Sequence, residues 1–136
     1  MGLLIDSNVW IEHERGRFVM PDFLARQSEK PVAIASIIAS ELLHGLHRTA
    51  TPTVLKKRRD FVEAILAWVR VIPFDLSVAR THAALWAETA ASKKRVGDHD
   101  LMIAATALHF DYELVSFNYK DFREIPGLKL VVPKPI

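Results

Sequence analysis

Four oxygen-rich side chains, Asp6, Asp98, Asp100 and Asn118, fall at apparent strand ends or helix starts and are candidates for one shared site, although most of the chain separates Asp6 from the others. Carboxylates gathered together repel: a pair ~4 Å apart costs on the order of 4 kcal/mol at an effective dielectric near 20. Such a cluster persists only if its members take up protons or a cation sits among them. Hard oxygen donors with little imidazole nearby suit Mg2+ or Mn2+. The chemistry to expect from such a set is the binding of a divalent cation. The chain has no cysteine, which excludes thiolate metal sites and disulfides. Its six histidines are dispersed, with His44 and His47 as the close pair, and read as core or surface residues.

Each acid also has a plain structural explanation. Asp6 ends the apolar run Leu3–Ile5, although Asp is depleted in strands. It either caps the helix that follows, contributing about 1 kcal/mol, or is a ligand for a metal ion. On a helical wheel over residues 36–48, Ser40, His44, His47 and Arg48 form a polar stripe and Glu41 falls at its edge. Gly45 lies one turn on. Glycine in a helix interior costs ~1 kcal/mol relative to alanine, so its presence suggests a close approach there. In "GDHD", Asp98 and Asp100 are two apart and cannot share a helix face. Asp98 is the expected cap and Asp100 the expected ligand. Asn118 is the first polar residue past the run "YELVSF", and Asp121 is expected in the loop beyond it.

The elements that must position these residues follow from periodicity and turn signals. Strands are expected at residues 3–5, 31–36, 69–74, 112–118 and 128–133. Helices are expected from Ser7 to about Glu14, around Pro21, from a cap at Ser36 to Arg48, from Thr51 and Pro52 to about Val69, from Leu76 to about Lys94, and from Asp98 to Phe110. Short apolar strands alternating with helices predict an α/β fold, a three-layer sandwich whose central parallel sheet of about five strands is flanked by helices. Residues 1–136 are expected to form a single domain. In such sheets the ligand crevice lies beyond the carboxyl ends of the strands. Asp6 and Asn118 would share that crevice if their strands are neighbours.

The composition, 50% apolar and 25% charged, suits a soluble globular protein. The longest apolar region, Val32–Leu46, is interrupted by Ser36, Ser40, Glu41 and His44, so no membrane span is expected. No secretory signal is visible, which fits a cytoplasmic location. The net charge of +2 is a weak pointer to nucleic acid, but the basic residues come in runs, Lys56–Arg59 and Lys93–Arg95. Each run is either a solvated helix face or part of a nucleic-acid footprint.

The segments "LLIDSNVWIE", "SIIASELLHGL", "DHDLMIAATAL" and "LVSFNYKDF", the last followed by "IPGLKLV", occur in that order. In order and spacing the chain resembles the PIN-domain ribonucleases, and among them the small VapC-type toxins of bacterial toxin–antitoxin pairs. The resemblance implies a PIN-like fold, one or two divalent ions, and hydrolysis of RNA phosphodiester bonds. It implies that Asp6, Glu41 and Asp100 are the catalytic, metal-binding acids and that Asp98 is an accessory acid. Asn118 falls on the family's fourth acidic position, where it is neutral. Ser7 matches a small hydroxyl residue that supports the first metal. The resemblance further implies a homodimer and a cognate antitoxin whose C-terminal segment occupies the crevice. Lys93, Lys94 and Arg95 would track the RNA backbone, with strong salt dependence. Two other classes compete. An aspartyl-phosphate-type phosphohydrolase would need a second Asp two residues after Asp6, where Asn8 stands. A non-enzymatic receiver-like signalling module would need a phosphoacceptor after the third strand, for which Asp75 is the nearest candidate.

Overall fold

The computed structural model describes residues 1–93 and 95–134; Lys94 lies outside the described residues. The chain runs β1 (Leu3–Ile5), α1 (Ser7–Glu14), α2 (Met20–Ala25), β2 (Val32–Ala35), α3 (Ser36–Leu46), α4 (Pro52–Trp68), β3 (Arg70–Ile72), α5 (Leu76–Ala91), α6 (Asp98–Phe110), β4 (Glu113–Val115), α7 (Tyr119–Phe122) and β5 (Leu130–Val131). The strands form one sheet in the order β3-β2-β1-β4-β5. Every pairing is parallel. Helices flank the sheet, as the alternation of strands and helices predicts.

The first crossovers carry the chain from β1 outward to β2 and β3. It then returns to the other side of β1 to lay down β4, with Leu3, Leu4 and Ile5 in register with Glu113, Leu114 and Val115. The strand order therefore reverses at the β1/β4 boundary, and the crevice of a doubly wound sheet opens at that point. The backbone N–H of Asp6 donates to the Val115 carbonyl at 2.9 Å, which carries the β1–β4 pairing into the first residue of the crevice. Asp6 and Asn118 thus follow neighbouring strands.

Burial explains the apolar runs. Leu3, Leu4 and Ile5 are fully buried, as expected of a central strand covered on both faces. In α6, Leu101, Ile103, Ala104, Ala105 and Ala107 are all buried, and its small side chains allow close packing. The start of β1 is tighter still. A Cβ on Gly2 would stand 2.6 Å from the Tyr112 ring and 2.9 Å from the Pro31 carbonyl oxygen, so only glycine fits between the two neighbouring strands. Asp111 ends α6 in the left-handed region, with φ of 55°, a conformation that Asp tolerates better than most residues.

Several local expectations are corrected. Asp98 is not the cap of α6: Gly97 holds that position, without a side-chain bond, and Asp98 is already helical. Ser36 is not the cap of α3; Ala35 precedes the helix, and the Ser36 hydroxyl instead accepts from the Phe74 N–H at 3.2 Å, joining α3 to the segment after β3. Asp121 lies in the short helix α7 rather than in a loop. Helix α5 stops at Ala91, and the strands are shorter than the apolar runs that mark them. By contrast, Thr51 caps α4, with Pro52 in its first turn. Among the described residues no helix is long and apolar enough to cross a membrane.

Candidate active site

The crevice is built from Asp6 outward. Asp6 leaves β1 in an extended conformation and is the N-cap of α1, its Oδ1 accepting from the Ser7 N–H at 2.8 Å. Cap and site residue are therefore compatible roles. Its Oδ2 faces β4 and accepts from the Ser116 hydroxyl at 2.8 Å. Asp6 is 4% exposed and Ser116 is fully buried. Burial pushes the Asp6 carboxyl above the usual carboxylate range; the bonds from Ser116 and Ser7 oppose that shift, and the charge of Glu41 adds to it.

Two residues that sequence reasoning does not single out as site residues, Ser116 and Asn8, complete this end of the crevice. Besides donating to Asp6, the Ser116 hydroxyl accepts from Asn8 Nδ2 at 3.3 Å and from the Asn118 N–H at 2.9 Å. Asn8 Oδ1 accepts from the Phe117 N–H at 3.2 Å. This small network ties the start of α1 to the end of β4 and fixes the Asp6 carboxylate. It also leaves Asn8 serving as a strap, not as the second acid of an aspartyl-phosphate enzyme. Asp75, the candidate phosphoacceptor, follows the edge strand β3 and caps α5, accepting from the Val78 N–H at 3.1 Å.

Glu41 approaches from α3. Its Oε1 accepts from the Ser7 hydroxyl at 3.1 Å, and His99 Nδ1 lies 3.3 Å from its Oε2. Ser7 thus bonds both acids, one through its backbone and the other through its side chain. Asp100 approaches from the first turn of α6. Asn118 Nδ2 donates to Asp100 Oδ2 at 3.3 Å and to Asp121 Oδ2 at 3.0 Å. Asn118 therefore presents a donor to two carboxylates, and Asp121 brings a negative charge to the neighbourhood of that neutral position. Burial, followed by the charges of Asp6, Asp121 and Glu41, pushes the Asp100 carboxyl up to about 6, with His99 opposing. Asp98, on another face of α6, is exposed and does not join the network. Lys93 and Arg95 are exposed in the segment that leads into α6.

Asp6, Glu41, Asp100 and Asp121 thus come together electrostatically. Among the described residues, no Lys or Arg pairs with any of them; His99, at Glu41, is the one basic group in contact. Nor do any three His, Asp or Glu side chains among the described residues already stand close enough to cage an ion. The acids line the mouth of a crevice rather than a finished cage.

Comparison with known proteins agrees with this geometry. The family model described as the PIN domain matches residues 3–128. Ribonuclease VapC1 of Rickettsia felis is 30% identical over 131 residues, 96% of each chain. Ribonuclease VapC10 of Mycobacterium tuberculosis is 34% identical over 128 residues, 93% of this chain and 90% of that one. The crystal structure of VapBC2 from Rickettsia felis, bound to a promoter DNA fragment, superposes with a TM-score of 0.89 at 22% identity, covering 98% of this chain and all of that one. From residue pattern, topology and relatives together, the chain belongs to the PIN-domain family, among the VapC ribonucleases.

Proposed function

We propose that the protein is a divalent-metal-dependent endoribonuclease, the toxin of a toxin–antitoxin pair, whose reaction centre is formed by Asp6, Glu41 and Asp100. The observation that favours this most is the gathering of acids from β1, α3 and α6 at the strand-order switch point, without a Lys or Arg partner among the described residues. Their donor set is all hard oxygen, which fits Mg2+ or Mn2+. A divalent ion held there supplies Lewis acidity to phosphate oxygens and lowers the pKa of water. The protein's own part is positional. Ser116 and the Ser7 N–H hold Asp6 with one oxygen toward each. The Ser7 hydroxyl orients Glu41, and Asn118 orients Asp100 and Asp121. Asp121, with Asn118 as its tether, is the fourth acidic group of the proposed centre, and Asp98 lies outside it.

The substrate is RNA, approached from the side of α6 where Lys93 and Arg95 are exposed. A cognate antitoxin covers the crevice until it is released. A homodimer is part of this reading, and Leu76 and Trp86 of α5, 67% and 59% exposed, are large apolar side chains that a second copy would cover. The absence of cysteine suits a reducing cytoplasm. The test is RNA cleavage by the purified protein with Mg2+, then with chelator added. Cleavage that stops with chelator and is absent in Asp6→Asn supports the assignment; chelator-insensitive cleavage, or full activity in Asp6→Asn, rejects it.

A further inference from the structure

A cavity of about 350 Å3 opens beside Glu41, between α1, α3 and α4. Three arginines line it from three different elements: Arg15 at the end of α1, Arg48 just past α3, and Arg58 on α4. Arg58 Nη1 donates to Thr49 Oγ1 at 3.3 Å, which orients its guanidinium. Glu14 lies on the same lining, yet among the described residues none of the three arginines is ion-paired. Glu41 also lines the cavity, so its charge is mixed, but the arginines outnumber the carboxylates and their planar forks match phosphate oxygens. The run Lys56–Arg59 is accordingly divided: Lys56 pairs with Asp60 in solvent, whereas Arg58 is half-buried against the cavity.

Gly45 points the same way. It is in the cavity wall, one helical turn beyond Glu41. Alanine would suit the helix better. A Cβ at Gly45 would meet no atom within 4 Å, so packing inside the chain does not call for glycine here. The space it leaves belongs to the cavity, which Phe61 lines from α4. The volume is in the range of sites that take drug-sized ligands, and a nucleotide is of that class.

We propose that this cavity is a substrate subsite that holds one nucleotide next to the bond that is cut, with Arg48 and Arg58 on its phosphate, Arg15 at the rim, and its sugar and base over Gly45 and Phe61. This rests on the ribonuclease assignment and adds residues outside the acidic centre that position the substrate.

The test is fluorescence anisotropy with a short labelled single-stranded RNA, in an inactive Asp6→Asn background so that the probe survives. Arg48→Ala with Arg58→Ala weakens binding by roughly tenfold or more, and the slope of log K against log salt falls by about 0.7 for each phosphate that an arginine no longer neutralises. Gly45→Leu, which fills the cavity without changing charge, weakens binding while circular dichroism shows an intact fold. Unchanged affinity and salt slope in the arginine pair would overturn the proposal and leave the cavity to a protein partner. Wild-type cleavage is assayed in parallel: its absence would remove the ribonuclease assignment, while the binding data would still decide whether the cavity takes RNA.

Discussion

Replacing Asp100 by Asn removes one charge from the acidic crevice while nearly preserving shape. Burial and the neighbouring charges of Asp6, Asp121 and Glu41 push the Asp100 carboxyl up to about 6 from its ordinary 3.8. At 1.36 kcal/mol per pH unit, ionising it in the native, metal-free protein costs up to ~3 kcal/mol, less where solvent screens its exposed edge. The sign follows from the proton count. Between the unfolded and native pKa values the native state binds more protons, so stability falls as pH rises through that window. Below about pH 4 both states are protonated and Asp100→Asn is expected to match wild type. As pH rises through 6 the wild type loses stability and the variant does not, so that by pH 8 the variant is more stable by roughly 1–3 kcal/mol. The assay is urea denaturation in chelator at a series of pH values. Added Mg2+ is expected to reverse the order, raising the melting temperature of wild type more than that of Asp100→Asn. Equal stability across the whole pH range, or a variant weaker at pH 8, would refute the claim that burial and the neighbouring acids make the ionised Asp100 costly in the native protein.

Three further outcomes are expected. Ser116→Ala removes the hydroxyl that donates to Asp6 Oδ2 at 2.8 Å, at a cost of about 1–3 kcal/mol in denaturant unfolding, with a loss of RNA cleavage greater than the loss of folded protein. Gly2→Ala forces a Cβ into the Tyr112 ring and the Pro31 carbonyl, and a thermal melt should show destabilisation of about 1–3 kcal/mol with the site chemistry unaltered. Charge reversal at Lys93 and Arg95 weakens RNA binding and flattens its salt dependence while Mg2+ affinity is preserved, as read by anisotropy and calorimetry; an unaltered salt slope would take both residues off the RNA path.

What can be read from the sequence, and what cannot, divides along the range of the interactions involved. The apolar runs before Asp6 and Asn118 predict strands of a parallel sheet, and periodicity locates α1, α3 and α6. The spacing rule alone separates Asp98 from Asp100: two residues apart in a helix, one faces the crevice and the other faces solvent. Ser116 escapes sequence reasoning because a lone serine in "LVSF" carries no periodic signal. Its importance arises only when β4 pairs with β1 and brings it to Asp6, 110 positions away in sequence. Asn8 reads in sequence only as a missing acid, since its strap to the Phe117 N–H depends on the same pairing. Helix α7, at four residues, is too short for its periodicity to be read, so Asp121 looks like a loop residue. The two corrected caps have a similar cause. Ser36 and Asp98 have favoured cap side chains, but Ala35 and Gly97 already occupy the extended position before each helix. Gly45, by contrast, is marked by an unfavourable helix propensity that the interior packing of the chain does not explain.

The most direct measurement is an anomalous difference map from crystals of the protein soaked in Mn2+. A peak is expected in the crevice within ligand distance, directly or through water, of Asp6, Glu41 and Asp100, and it should disappear in Asp6→Asn. A crevice that stays dark in crystals of an enzyme whose Mn2+-dependent cleavage is intact, or a peak bound by other residues, would contradict a metal centre built on these three acids.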